Sequence, residues 1–320
     1  MTKILLTGAN GFIARELSVK LTDKKFKLVL AVRQRSSFFS KSALQVEVGD
    51  LTSDTDWSEP LDSVSVVIHT AARVHVMNDS ALDPLTEFRR VNLEGTVNLA
   101  KQAAEAGVKR FIFLSSIKVN GEATKVGTPF TADDVPAPRD AYGISKAETE
   151  QALLDLSAAT DMEVVIVRPV LVYGPNVKAN FLDMMHWLSK GIPLPFGAIN
   201  NKRSLIALDN LVDLIITCVD HPAAANQIFL ASDGEDISTT ELLQKISLSL
   251  KQKPRLIPVS SKVLCMVAGL IGKRGLARRL IGSLQVDITK TKNVLNWHPP
   301  LNLDDALKKT VQSFLQQQKK

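Results

Sequence analysis

Apolar residues come along this chain in short runs, set off by glycines and polar turns and separated by longer stretches with helical spacing. The runs at 3–6, 27–32, 44–48, 64–69, 109–115 and 163–168 are too short for helices and too evenly apolar for strands with one wet face. Between them lie helical patterns from the first glycine-rich turn to Leu21, from Asp83 to Gly107 and from Ala141 to Ala159; the second of these closes on a glycine, as helices often do. Buried strands alternating with helices predict a doubly wound α/β fold: a parallel sheet covered on both faces, with ligands at the carboxyl ends of the strands. Beyond Pro169 the alternation loosens. Helices are expected over 180–190, 209–220, 239–250, 260–270, 288–295 and 303–317, a Pro/Gly loop over 191–197 and one more strand over 227–231. We therefore expect two units. Residues 1–168, rejoined by about 205–233, form the sheet; 169–204 and 234–320 form a smaller, mainly helical substrate-binding unit.

Composition narrows the class. At 320 residues, 45% hydrophobic and 22% charged, the chain matches an ordinary soluble globular protein of a size to hold two lobes. Its net charge of +6 suits anionic small ligands. The clustered cations with interleaved aromatics of a nucleic-acid binder are missing. Cys218 and Cys265 lie far apart in apolar helical stretches and read as buried free thiols, not as a disulfide or metal site, which fits a reducing cytoplasm. The N-terminus has no signal-peptide layout, and the longest apolar stretch, 263–272, is too short to span a bilayer. Lys273, Arg274, Arg278 and Arg279 follow it, a pattern compatible with peripheral membrane contact, but a helix packed in the second unit is the expectation.

Four patterns carry chemistry. Thr7-Gly8-Ala9-Asn10-Gly11-Phe12-Ile13-Ala14 lies between the first strand and the first helix, where glycines let the backbone approach a pyrophosphate and unpaired helix N–H groups face it. The second strand ends in Arg33-Gln34-Arg35-Ser36-Ser37, with no carboxylate for a ribose 2′-hydroxyl. Arg33 and Arg35 suit the 2′-phosphate of NADP(H), the preferred nucleotide, with NAD the alternative. In Tyr142-Gly143-Ile144-Ser145-Lys146 the tyrosine and lysine stand one helical turn apart, and an ammonium beside a phenol favours the phenolate. Ser115 and Ser116 end the fifth strand where a hydroxyl could share a carbonyl oxygen with Tyr142.

These pieces occur in order with Gly49-Asp50-Leu51, His69-Thr70-Ala71-Ala72, Asn92-Leu93-Glu94-Gly95-Thr96, Arg168-Pro169-Val170-Leu171-Val172-Tyr173-Gly174-Pro175, Arg203 and Asn296-Trp297-His298-Pro299. Together they resemble an extended short-chain dehydrogenase/reductase of the NAD(P)-dependent nucleotide-sugar epimerase/dehydratase superfamily, over almost the whole chain. The resemblance implies a Rossmann fold, with Gly8, Asn10, Gly11, Phe12, Ile13, Asp50, Leu51, Ala71, Ala72, Asn92, Ser115 and Pro169 around the nucleotide. It also implies a catalytic set of Tyr142, Lys146 and Ser116, with Lys146 also on the nicotinamide ribose. Lys118, Asn180 and Arg203 would meet a UDP-sugar, and a homodimer would form through the helices at 83–107 and 141–159.

Ile117-Lys118 stands where a dehydratase of the family would carry an Asp-Glu pair, so dehydration is not expected. Arg33, and the similarity of 69–79 and 115–121 to a bacterial subgroup, point to NADPH-dependent reduction at C4 of a UDP-4-keto-6-deoxy-N-acetylhexosamine in surface-polysaccharide biosynthesis. A UDP-hexose 4-epimerase with bound NAD is the alternative, and a non-catalytic NADP-sensing protein a distant third.

Overall fold

The computed structural model describes residues 2–39, 43–74, 83–270 and 280–318. Among the described residues, seven parallel strands form the main sheet: β1 Lys3–Thr7, β2 Lys27–Val32, β3 Leu44–Glu47, β4 Val66–His69, β5 Arg110–Leu114, β6 Glu163–Pro169 and, later in the chain, β9 Gln227–Ala231. Their spatial order is β3-β2-β1-β4-β5-β6-β9. The order reverses between β1 and β4, and such a switch point opens a crevice at the carboxyl ends of the strands. In register, Thr7 lies beside Ala31 on one side and His69 on the other. The turns after β1, β2 and β4 therefore end side by side.

Both sheet faces are covered. Helices Phe12–Asp23 and Leu208–Asp220 pack on one side, with Leu17, Leu21, Leu211 and Ile215 against Ile4, Leu6, Ile68 and Val167. Gly95–Glu105 and Ala141–Ala159 cover the other, with Leu99, Ala103 and Leu153 against Leu5, Val67, Phe111 and Val164. Strands buried on both faces explain the unbroken apolar runs in the sequence.

The later part of the chain builds a second layer. Strands β7 Leu171–Tyr173, β8 Arg203–Ala207 and β10 Asp236–Ile237 make a three-stranded sheet in the order β10-β8-β7. Helices Ala179–Ser189, Thr239–Ser249 and Leu303–Gln317 close a separate apolar cluster over it, centred on Tyr173, Phe181, Leu243 and Phe314. Thr239–Ser249 opens with a complete capping box between Ser238 and Glu241.

Two sequence expectations change. The helix expected over 83–107 is three segments: Pro84–Phe88, a π-helical stretch Arg89–Glu94 and Gly95–Glu105. Cys218 is buried, but Cys265 is exposed, because its helix Ser261–Leu270 buries none of its residues. Of the apolar-then-basic stretch 263–279, residues 271–279 lie outside the described residues. No helix among the described residues is long and apolar enough to cross a membrane.

Candidate active site

The glycine turn is built for close approach. Gly8 has φ +66°, and a Cβ on it would stand 2.8 Å from the backbone N and Cα of Ala71. Only glycine lets the β1 and β4 turns touch here. The Gly11 N–H donates to the Gly8 carbonyl at 2.7 Å, and Gly11 then caps helix Phe12–Asp23. That helix start has no side-chain cap and no acidic residue in its first turn. Its amide donors are thus left to an anion, the donor set a dinucleotide pyrophosphate needs. Asn10 ties the turn to the next strand, its Nδ2 donating to the Gln34 carbonyl at 3.0 Å.

Beneath the turn His69 is fully buried between two hydroxyls, with Thr7 Oγ1 2.8 Å from Nδ1 and Thr96 Oγ1 2.9 Å from Nε2. Burial, reinforced by the charge of Lys146, brings its pKa down to about 3. The ring is a neutral spacer between β1, β4 and the helix of Thr96. Its folded pKa lies below the unfolded value near 6.5, so between those values the unfolded chain takes up the extra proton and stability falls as pH falls. In chemical denaturation, wild type should begin to lose stability relative to His69→Gln as pH falls below about 6.5, approaching about 1.4 kcal/mol per pH unit by about pH 4–5. The stability gap between the two should narrow with acid.

Asn92 holds the Ala71-Ala72-Arg73 turn in place. Its Oδ1 accepts from the Arg73 N–H at 2.8 Å; its Nδ2 donates to the Arg73 carbonyl and the Ser145 hydroxyl, both at 3.1 Å. The Asn92 carbonyl accepts from Thr149 at 3.0 Å. These bonds come from the π-helical stretch, an irregularity that recurs at functional sites. They fasten the turn after β4 to the helix that carries Tyr142.

Asp140 caps helix Ala141–Ala159 through the Gly143 N–H at 2.7 Å. A Cβ on Gly143 would lie 2.9 Å from the Lys118 carbonyl, so this helix start sits close against the Ser116 turn. Ser116 leaves β5 and caps the short 3-10 turn Ile117–Val119, its hydroxyl near enough to Tyr142 to act on the phenol. Burial and the Asp140 carboxylate push the Tyr142 phenol up to about 12, and the nearby Ser116 hydroxyl pulls the other way. Lys146 is 2% exposed. Its ammonium donates to the Leu114 carbonyl at 2.9 Å and lies 4.3 Å over the Phe113 ring. Burial lowers its pKa to about 7, against the opposing charge of Glu150. The ammonium is therefore anchored at the end of β5, a carbonyl site that a ribose hydroxyl could share.

The two serines separate cleanly. Ser116 meets Tyr142, whereas the Ser115 hydroxyl donates to Glu150. Glu150 is also forked by Arg168 at 2.5–3.1 Å, and Arg168 reaches Asn120 at 3.0 Å. Glu150 was missed from sequence, although it stands one turn beyond Lys146, and Arg168 was quoted within a motif without a role. Asp140 was missed too, although an aspartate just before a helical pattern is a cap signal.

The remaining candidates lie around this centre. Gly95 leaves room for Leu51, whose side chain a Cβ there would meet at 2.8 Å. The Asp50 carbonyl accepts from Thr55, whose own carbonyl is held by Asn98 and Gln102. Arg33 is 80% exposed and 3.8 Å from Asp50; Arg35 lies 3.4 Å from Glu47. Pro169 is buried at the end of β6 beside Ala231. Lys118 pairs with Asp140 and lies 5.8 Å over the Tyr142 ring. Asn180 is exposed in the first turn of Ala179–Ser189, and Arg203 opens β8 with its guanidinium 3.1 Å from the Gly282 carbonyl.

A dinucleotide fold with a Ser/Tyr/Lys constellation at the carboxyl edge of its sheet defines a class, and the comparisons agree: the chain belongs to the NAD dependent epimerase/dehydratase family, whose model matches residues 4–231. A UDP-glucose 4-epimerase of Vibrio cholerae is 52% identical over 98% of this chain and 95% of that protein. Among solved structures, a UDP-glucose 4-epimerase of Thermotoga maritima with UDP-glucose superposes with a TM-score of 0.78 at 23% identity, covering 99% of this chain and 100% of the other. A UDP-glucuronic acid 4-epimerase of Bacillus cereus in complex with NAD gives 0.79 at 19% identity, covering 98% and 99%. The C4 reduction expected from sequence is overturned by the Vibrio relative. The physical reason is that Arg33 is an exposed side chain 3.8 Å from Asp50, and a cation there could bear at most on the choice of nucleotide and not on the fate of the hydride. Ile117-Lys118 speaks against dehydration only.

Proposed function

We propose that the chain is a UDP-hexose 4-epimerase, acting on UDP-glucose and UDP-galactose or their N-acetyl forms. The observation that carries this is the Ser116–Tyr142 hydroxyl pair beside buried Lys146, in a chain so similar to a UDP-glucose 4-epimerase along its length. A nicotinamide held beyond the Gly8–Gly11 turn, with its ribose near Lys146, would supply the reversible hydride acceptor that inversion at the sugar C4 needs. Tyr142 removes the C4 hydroxyl proton as the hydride leaves and returns it to the resulting keto oxygen after the sugar has turned over. Ser116 holds that oxygen against Tyr142 in both halves of the reaction. Lys146 supplies the positive charge that offsets the phenolate, and its anchor at Leu114 fixes where that charge sits. Lys118, held by Asp140, and Arg203 are proposed to meet the UDP-sugar. Purified protein should interconvert UDP-glucose and UDP-galactose with no added nucleotide. Failure to invert C4 in any UDP-hexose would overturn the proposal.

The finer choice of nucleotide rests on Arg33 and Arg35. Both are largely exposed in ion pairs of a kind worth little in water, so either can turn to a ribose 2′-phosphate. We propose NADP(H) as the preferred form, bound where NAD also fits. Arg33→Ala/Arg35→Ala should weaken NADP binding at least about tenfold relative to NAD. Equal affinities in wild type, measured by calorimetry on nucleotide-stripped protein, would refute the preference.

A further inference from the structure

Helix Ser261–Leu270 contains no buried residue. Ser261, Leu264, Ala268 and Gly269 are partly covered and mark the side that rests on the protein. Val263, Met266, Val267 and Leu270 recur at helical spacing on the other side and face solvent, with Met266 62% and Leu270 82% exposed. A globular protein normally turns such a stripe inward. The segment leading into this helix is also open: it lies beside Leu194, which donates to the Arg255 carbonyl at 2.9 Å and accepts from the Ile257 N–H at 2.8 Å. Exposed Ile192 and Ile257 extend the apolar surface along this ladder.

Charge says what covers it. Residues 251–270 carry Lys251, Lys253, Arg255 and Lys262, all exposed, and no carboxylate. The bias is a property of the sequence on a larger scale. Residues 251–286 hold eight of the 39 cations and none of the 33 carboxylates, so the other 284 residues carry 31 cations against 33 carboxylates. Lys273, Arg274, Arg278 and Arg279 lie outside the described residues and are no part of the surface argued here. A second copy is a poor occupant, because two such faces would bring like charges together. A nucleic acid would find no aromatic side chain on the helix for a base to stack on. An anionic lipid surface satisfies both halves, since apolar side chains enter the headgroup boundary while lysines and arginines rest on phosphates.

We propose that helix Ser261–Leu270 and the basic segment before it seat this protein peripherally on an anionic membrane surface. Val263, Met266, Val267 and Leu270 enter the headgroup boundary, and Lys251, Lys253, Arg255 and Lys262 contact lipid phosphates. The proposal stands on exposure and charge, independently of the reaction assigned above. The test is flotation of the full chain with phosphatidylcholine vesicles, with or without one third phosphatidylglycerol, at low and physiological salt. Wild type should float with the anionic vesicles, less so as salt rises, and not with phosphatidylcholine alone. Met266→Glu/Leu270→Glu and Lys253→Glu/Arg255→Glu should each reduce the floated fraction at least about tenfold. Both variants change exposed side chains and should keep the wild-type melting temperature, as should a control, Val135→Glu, at another exposed site, which should also float normally. No flotation of wild type with anionic vesicles, or equal flotation of all four proteins, would overturn the proposal. So would a concentration-dependent oligomer that Met266→Glu/Leu270→Glu dissolves, since a second copy would then be the occupant.

Discussion

Tyr142→Phe should lower C4 inversion of UDP-hexoses by at least about a thousandfold, at the upper end of what a positioned acid/base supplies, with little change in nucleotide binding. The phenyl ring keeps its edge contact with Phe88, whose centroid is 6.0 Å away, so the helix start and the cap at Asp140 remain intact. Only the hydroxyl that meets Ser116 is lost. Progress curves starting from UDP-galactose, read beside nucleotide retention after gel filtration, separate chemistry from binding. Near-normal turnover with bound nucleotide would remove Tyr142 from the acid/base role. Ser116→Ala should fall less far, because it removes the positioning partner and leaves the proton carrier.

Breaking the buried pair beneath Lys146 should have the largest effect on stability. Arg168 and Glu150 are 2% and 4% exposed and share a forked contact, with Ser115 and Asn120 occupying the remaining donor and acceptor sites. Arg168→Met leaves a carboxylate buried without its cation, a change that costs about 3–5 kcal/mol. Glu150→Leu leaves the converse. The double variant Arg168→Met/Glu150→Leu removes both charges and should recover much of the loss, because buried pairs roughly break even against apolar replacements. Urea denaturation of the four proteins measures the cycle. Additive losses would mean that the two side chains act independently, against the geometry described.

The main sheet was legible because strands buried on both faces leave continuous apolar runs, and 27–32 reappears unchanged as β2. β7, β8 and β10 were harder. Strands of two or three residues, such as Asp236–Ile237, show no period of their own, and register with neighbours far along the chain creates them. Tyr142 and Lys146 were readable from their spacing. The division of labour between Ser115 and Ser116 was not, because it depends on a carboxylate 35 residues away. The role of Lys146 needed the fold as well: the sequence pairs it with Tyr142, and the structure gives its ammonium to the Leu114 carbonyl. His69 was visible as a motif residue, but its burial between Thr7 and Thr96 depends on three separate elements.

The wide turn at Arg89–Glu94 bears on how this chain tolerates changes in length. Each residue of an α-helix advances the facing direction by about 100°. On one side of the wide turn Phe88 faces Tyr142; on the other Thr96 faces His69; Asn92 lies within it. Deleting a single residue there would spare every strand and every apolar contact of the sheet. It would nevertheless rotate one end against the other by about a quarter turn, so that Phe88 and Thr96 could no longer both face their partners. Loops elsewhere can gain or lose residues; this stretch keeps count.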